Sequence, residues 1–160
     1  MHATRLHGAA LIGGLALALP TLAATSFFFE GDMVRGGTEK GMTGPVCVLA
    51  SQFKRGESVV WRIRLRDAQG RDVDGSMVKS VTVKLPDGQT FPARFGPHPK
   101  GKDTDRFWST SWLVPADYPT GMLSYQVIAT AGDGSQHAWS PFKVAMSELT
   151  IVPGEVTYSK

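Results

Sequence analysis

The sequence contains a single cysteine, Cys47, among its 160 residues. An intramolecular disulfide is therefore impossible, and so is covalent haem attachment, which needs a Cys-x-x-Cys-His motif. The sequence also lacks a Gly-x-Ser-x-Gly nucleophile elbow, closely spaced histidine pairs and any helical periodicity sustained over ten residues. These absences predict a protein that is not an enzyme and carries no cofactor.

Charge of one sign is not in large excess either. The chain has 17 Lys and Arg against 14 Asp and Glu, a net charge of +3. Removal of residues 1–24 takes away one charged residue, Arg5. This leaves 16 Lys and Arg against 14 Asp and Glu, and a net charge of +2. So small an excess does not indicate nucleic-acid binding.

No apolar run reaches the roughly 20 residues that a membrane-spanning helix needs. The longest, from Ala9 to Leu19, follows Arg5 and precedes the small residues Ala23 and Ala24. A basic start, a short apolar run and small residues are typical of a Sec-type signal peptide. We therefore expect residues 1–24 to be cleaved, a periplasmic or secreted location, and no transmembrane segment in the mature chain.

Short runs rich in Val, Ile, Thr and aromatic residues recur about every ten residues after Pro45, separated by Gly, Pro and Asp turns, as in all-β proteins. We predict a flexible N-terminal leader over 25–44, a sandwich domain over 45–152 and a C-terminal tail over 153–160. The predicted strands are 46–52, 57–67, 77–85, 90–95, 106–114, 122–131, 136–144 and 148–152.

The clearest of these runs is Val59-Val60-Trp61-Arg62-Ile63-Arg64-Leu65-Arg66. Successive strand residues point to opposite faces, so one face carries apolar side chains and the other an arginine row. Two sheets of this kind pack into a sandwich through their apolar faces. The arginine row has two explanations, which the sequence leaves open: pairing with acidic residues on neighbouring strands, or docking of an acidic surface on a partner protein.

Three segments carry a family resemblance: FKRGESVVWRIRLRDAQGRDV, VTVKLPDGQ and WLVPADYPTGMLSYQVIATAGDG. They resemble the macroglobulin-type and bacterial immunoglobulin-like domains, over residues 53–144. The resemblance implies a single immunoglobulin-like antiparallel β-sandwich of about seven or eight strands. It implies little about function, because such sandwiches serve many unrelated roles.

The segment from Gly96 to Asp105 is predicted to be a long loop, and long loops on rigid sandwiches often carry recognition. The alternative is that its prolines only shape a crossover between the sheets. The predicted partner-binding residues come from the arginine row, from this segment and the strand that follows it, and from Lys84 if its strand pairs beside the row. They are Arg62, Arg64, Arg66, Lys84, His98, Lys100, Lys102, Trp108 and Trp112.

We therefore predict a non-catalytic exported module that binds another protein, as an accessory subunit of a larger complex. One alternative is a copper-handling carrier, because thiolate, thioether and imidazole ligands suit copper; its ligands would come from His98, His137, Cys47 and Met122. Their wide spacing instead favours no metal, with Cys47 a buried thiol. A second alternative is a carbohydrate-binding sandwich that stacks sugars on Trp108, Trp112 and Trp139.

Overall fold

The computed structural model describes residues 26–37, 47–98, 105–144 and 147–156. The predicted signal peptide, Lys100 and Lys102 lie outside these ranges, as does the end of the predicted C-terminal tail. Within the described ranges the chain is all-β, and it contains no helix long and apolar enough to cross a membrane.

The described ranges contain ten strands, against the seven or eight predicted. They are β1 (Phe28–Arg35), β2 (Gln52–Arg55), β3 (Ser58–Arg66), β4 (Val78–Lys84), β5 (Thr90–His98), β6 (Asp105–Leu113), β7 (Gly121–Leu123), β8 (Gln126–Ala131), β9 (Gln136–Trp139) and β10 (Leu149–Glu155).

A seven-stranded antiparallel sheet has the order β1-β3-β6-β5-β4-β8-β9. Strand β5 belongs to two layers, since Thr90–Ala93 pair with β4 and Arg94–His98 pair with β6. The two ends of the sheet meet, because Phe29 of β1 stacks on Trp139 of β9 with ring centroids 6.4 Å apart. The sheet is thus folded back on itself into a sandwich, as predicted. A smaller sheet, β2-β10-β7, contains the parallel pair β2 and β10.

The core lies between the two layers and is centred on Trp61. Strand β3 alternates as the sequence predicts, with Val59, Trp61, Ile63 and Leu65 buried. The Trp61 ring is 1% exposed and packs against Phe91, Trp112 and Tyr125 from other strands and their connections. Period-two patterning thus specifies which face of β3 is covered.

The prediction of a flexible leader is wrong for residues 28–35, which form β1. This strand pairs with β3 along its whole length, and it buries Met33 and Val34. The glycine at position 31 and the charges of Glu30 and Asp32 obscure the strand in the sequence. The two charges are tolerated because Glu30 and Asp32 lie beside the arginines of β3.

The predicted loop from Gly96 to Asp105 is shorter than expected. Strand β5 continues to His98, which lies opposite Asp105 at the start of β6. Pro97 removes a backbone donor but is accommodated opposite Arg106. Residues 99–104 lie outside the described ranges.

Three of the tight turns that the sequence predicts are each built around an aspartate and a glycine. The carboxylate of Asp67 accepts hydrogen bonds from the backbone N–H groups of Gln69 and Arg71, each 2.9 Å long, and Gly70 adopts a φ of 76°. The hydrogen bond from the Arg71 backbone N–H, and to a smaller extent the one from the Arg71 guanidinium, hold the pKa of Asp67 below its usual value. Asp87 and Asp133 bond the backbone two residues on in the same way.

Candidate functional site

The arginine row is paired within the molecule. Arg62 donates two hydrogen bonds of 2.6 Å to Asp32, and Arg64 lies 2.8 Å from Asp105. Arg66 contacts Glu30 at 2.9 Å and Asp72 at 3.3 Å. The acidic partners come from the strands on either side of β3 and from the turn that follows it.

The register of the sheet explains this pairing. Asp32 of β1 lies directly opposite Arg62 of β3, so the two side chains meet on one face. The hydrogen bonds that Arg62 donates to Asp32 raise the pKa of Arg62, against the opposing effect of burial. The row therefore does not require an outside partner to explain its charge.

Lys84 does not extend the arginine row, contrary to the prediction. Strand β4 pairs with β5 and β8 rather than with β3, so Lys84 lies in the other layer of the sandwich. Its Cα neighbours are Thr90 and Gln126.

A double-mutant cycle on Arg62→Gln and Asp32→Asn tests this pairing. We expect a coupling free energy of about 0.2–1 kcal/mol, because partly exposed ion pairs contribute little to stability. Urea unfolding at low and high ionic strength measures it, and the coupling should shrink as salt screens the charges. Coupling within error of zero at low salt would show that the pair contributes nothing to stability.

Trp108 and Trp112 are buried, so they do not fit the predicted partner-binding set. Their exposures are 6% and 5%. Trp108 donates its Nε1–H to the backbone oxygen of Val73 at 3.1 Å, and Trp112 packs against Trp61 and Tyr118. Both indoles serve the core, which also removes two of the three rings proposed to stack on sugars.

The residues Asp133, Ser135 and His137 are close together but in the wrong order for a catalytic triad. Ser135 Oγ lies 2.7 Å from Asp133 Oδ1 and 3.4 Å from His137 Nε2. In a triad the carboxylate orients the histidine, whereas here it bonds the serine of an exposed turn. The arrangement is an aspartate-stabilised turn.

Two of the four candidate copper ligands are brought together. Cys47 Sγ lies 3.9 Å from His98 Nε2, although 51 residues separate them. Cys47 is exposed rather than buried as predicted, with a left-handed φ of 58°. Met122 lies on β7 of the smaller sheet, and His137 on β9 packs against Phe27.

The sequence does not reveal a groove of about 460 Å³ between β1 and β9. Met33, Tyr125 and Trp139 line it from the core side, and Leu49 and Phe142 stand at its rim. Leu49 is 66% exposed and Phe142 is 81% exposed. Strand β9 was predicted to run to Val144, but it ends at Trp139, two residues before Pro141. The proline is the one sequence signal for the loop that carries Phe142.

The groove also holds one polar group that stays protonated at neutral pH. Burial, followed by the nearby charge of Asp32, raises the pKa of the Tyr125 hydroxyl to about 12. The phenol therefore remains a hydrogen-bond donor. An apolar groove with a few polar groups is the usual composition of a binding site.

Comparison of the chain with protein-family models, curated proteins and solved structures finds no match. The resemblance to macroglobulin-type and bacterial immunoglobulin-like domains therefore stays a prediction, while the all-β sandwich rests on the structure itself.

Proposed function

We propose that this chain is an exported, non-catalytic module that binds another protein through the groove between β1 and β9. The observation that carries the proposal is the exposure of Phe142 and Leu49 at the rim of a groove that also contains Asp32, Ser51 and Ser147. Large apolar side chains exposed side by side on a single domain mark interaction sites more often than isolated ones do.

The groove lies between two strand edges. β1 and β9 are the ends of the seven-stranded sheet, so within the described residues each pairs with a strand on one side only. The Met33–Arg35 end of β1 is covered by the segment from Cys47 to Ala50, through backbone bonds such as Ala50 N to Met33 O at 3.0 Å. Within the described residues, the Phe28–Asp32 part of β1 has no strand partner along the edge that faces away from β3.

The partner segment that fits is extended and apolar. Unpaired strand edges bind extended chains through backbone hydrogen bonds, and neighbouring apolar pockets accept alternate side chains. If this chain is an accessory subunit, such a segment would come from another subunit of the same exported complex. The arginine row contributes little to this proposal, because its guanidinium groups already contact carboxylates within the molecule.

Site-specific photo-crosslinking tests the proposal. A photoreactive phenylalanine analogue replaces Phe142 in one variant and Leu113 in the control; Leu113 is 56% exposed on β6, outside the groove. We expect a specific adduct from position 142 in the native exported fraction and none from position 113. Mass spectrometry then identifies the partner and the segment attached.

Binding of the purified partner gives the quantitative test. Phe142→Ser should weaken binding about tenfold or more, because a truncated aromatic anchor commonly costs that much, whereas Leu113→Ser should leave it nearly unchanged. Equal binding by the wild type and Phe142→Ser would refute the groove as the binding surface.

A further inference from the structure

The contact between Cys47 and His98 joins two parts of the chain that are remote in sequence. Cys47 is the first residue of the short segment that pairs with the end of β1, and His98 is the last residue of β5. Both side chains are exposed, with Sγ and Nε2 3.9 Å apart. A thiol and an imidazole side by side at the surface offer the sulfur and nitrogen ligands that soft metal ions prefer.

The separation suits a metal ion of low coordination number. With metal–sulfur and metal–nitrogen bonds of about 2.3 and 2.0 Å, a 3.9 Å separation corresponds to an S–metal–N angle of about 130°. Tetrahedral coordination would bring the two atoms to about 3.5 Å. The observed spacing lies between the tetrahedral and the linear arrangements.

The surroundings also favour a soft ion over a hard one. The ring of Phe107 lies 5.5 Å from that of His98, and the guanidinium of Arg62 lies over Phe107. Asp105 lies opposite His98 on the paired strand, and its carboxylate forms an ion pair with Arg64 at 2.8 Å. In the part of the chain that the structure describes, no group of three or more His, Cys, Asp or Glu residues is placed to hold a metal.

We propose that Cys47 Sγ and His98 Nε2 form a surface site for Cu(I). Zinc in structural sites takes four ligands, whereas Cu(I) is stable with two or three soft ones. On binding, the thiol loses its proton to solvent and the neutral imidazole donates a lone pair, so one proton is released and copper remains Cu(I). Neither Cys47 nor His98 lines the groove, although Cys47 is two residues from Leu49 at its rim. The site does not depend on the proposed protein-binding function.

Anaerobic titration with Cu(I), in competition with the chelator bicinchoninate, tests the site. We expect the wild-type protein to take one Cu(I) per chain from the chelator. Cys47→Ser and His98→Gln should each weaken that affinity about tenfold or more, since each removes one of two ligands. His137→Gln is the matched control, because His137 lies on β9 away from the pair, and it should bind as the wild type does.

X-ray absorption at the copper edge should show one sulfur and at least one nitrogen ligand, and His98→Gln should lose the nitrogen. Three outcomes would overturn the proposal. Equal affinity of the wild type and His98→Gln would mean capture by the thiol alone. One Cu(I) per two chains would mean a thiolate bridge between copies. Tighter binding of zinc than of Cu(I) would mean a different kind of site. Circular dichroism of each variant separates loss of a ligand from loss of fold.

Discussion

Trp61→Ala should lower the free energy of unfolding by about 3–5 kcal/mol, the usual cost of truncating a buried aromatic side chain. Trp61 is 1% exposed and contacts aromatic rings from both layers of the sandwich, so the cavity left by alanine cannot be filled from one side. Urea denaturation followed by far-UV circular dichroism measures the change. A loss below about 1 kcal/mol would mean that the indole is not in the core.

Trp61→Phe is the matched control. The indole Nε1–H is buried and has no acceptor among the residues that the structure describes, so tryptophan gains no hydrogen bond that phenylalanine would lose. Phenylalanine keeps most of the ring contacts. We expect this variant to be much closer to the wild type than Trp61→Ala is, which separates the effect of ring volume from the effect of the polar atom.

Met33→Ala should lower the free energy of unfolding by about 2–5 kcal/mol. Met33 is 5% exposed and belongs to the core, although it lies in the segment predicted to be a flexible leader. A flexible leader would contribute nothing, so the measurement distinguishes strand β1 from a leader directly. Equilibrium unfolding in urea is again sufficient.

Phe28→Ala, in the same strand, provides the comparison for Met33. Phe28 is 61% exposed, so its truncation should change stability by only a few tenths of a kcal/mol. Similar small effects at both positions would show that β1 is not packed on β3. A large effect at Phe28 would place the core on the opposite face of the strand.

Where the sequence repeats every second residue, the fold was predictable. Strand β3 is the best case, because Val59, Trp61, Ile63 and Leu65 alternate with polar residues and only one face of a sheet can be covered. The aspartate and glycine turns were predictable for a local reason: Gly70 adopts a backbone conformation that other residues avoid. Both signals lie within a few neighbouring residues.

Features that depend on tertiary contacts were not predictable. Pairing of Arg62 with Asp32 requires the register between β1 and β3, and β1 itself was hidden by charged residues and a glycine. The contact of Cys47 with His98 spans 51 residues, and no local pattern encodes it. Burial of Trp108 and Trp112 follows from which side of β6 meets the second layer, and alternation alone leaves that choice open.

The sharing of β5 between the two layers limits how the sandwich can deform. On the β5 side the layers are continuous through backbone hydrogen bonds, so separating them there would break a ladder. On the opposite side β1 and β9 are not paired in the described residues, and side-chain contacts such as Phe29 with Trp139 close the gap. The sandwich is therefore closed by backbone on the β5 side and by side chains on the side of β1 and β9.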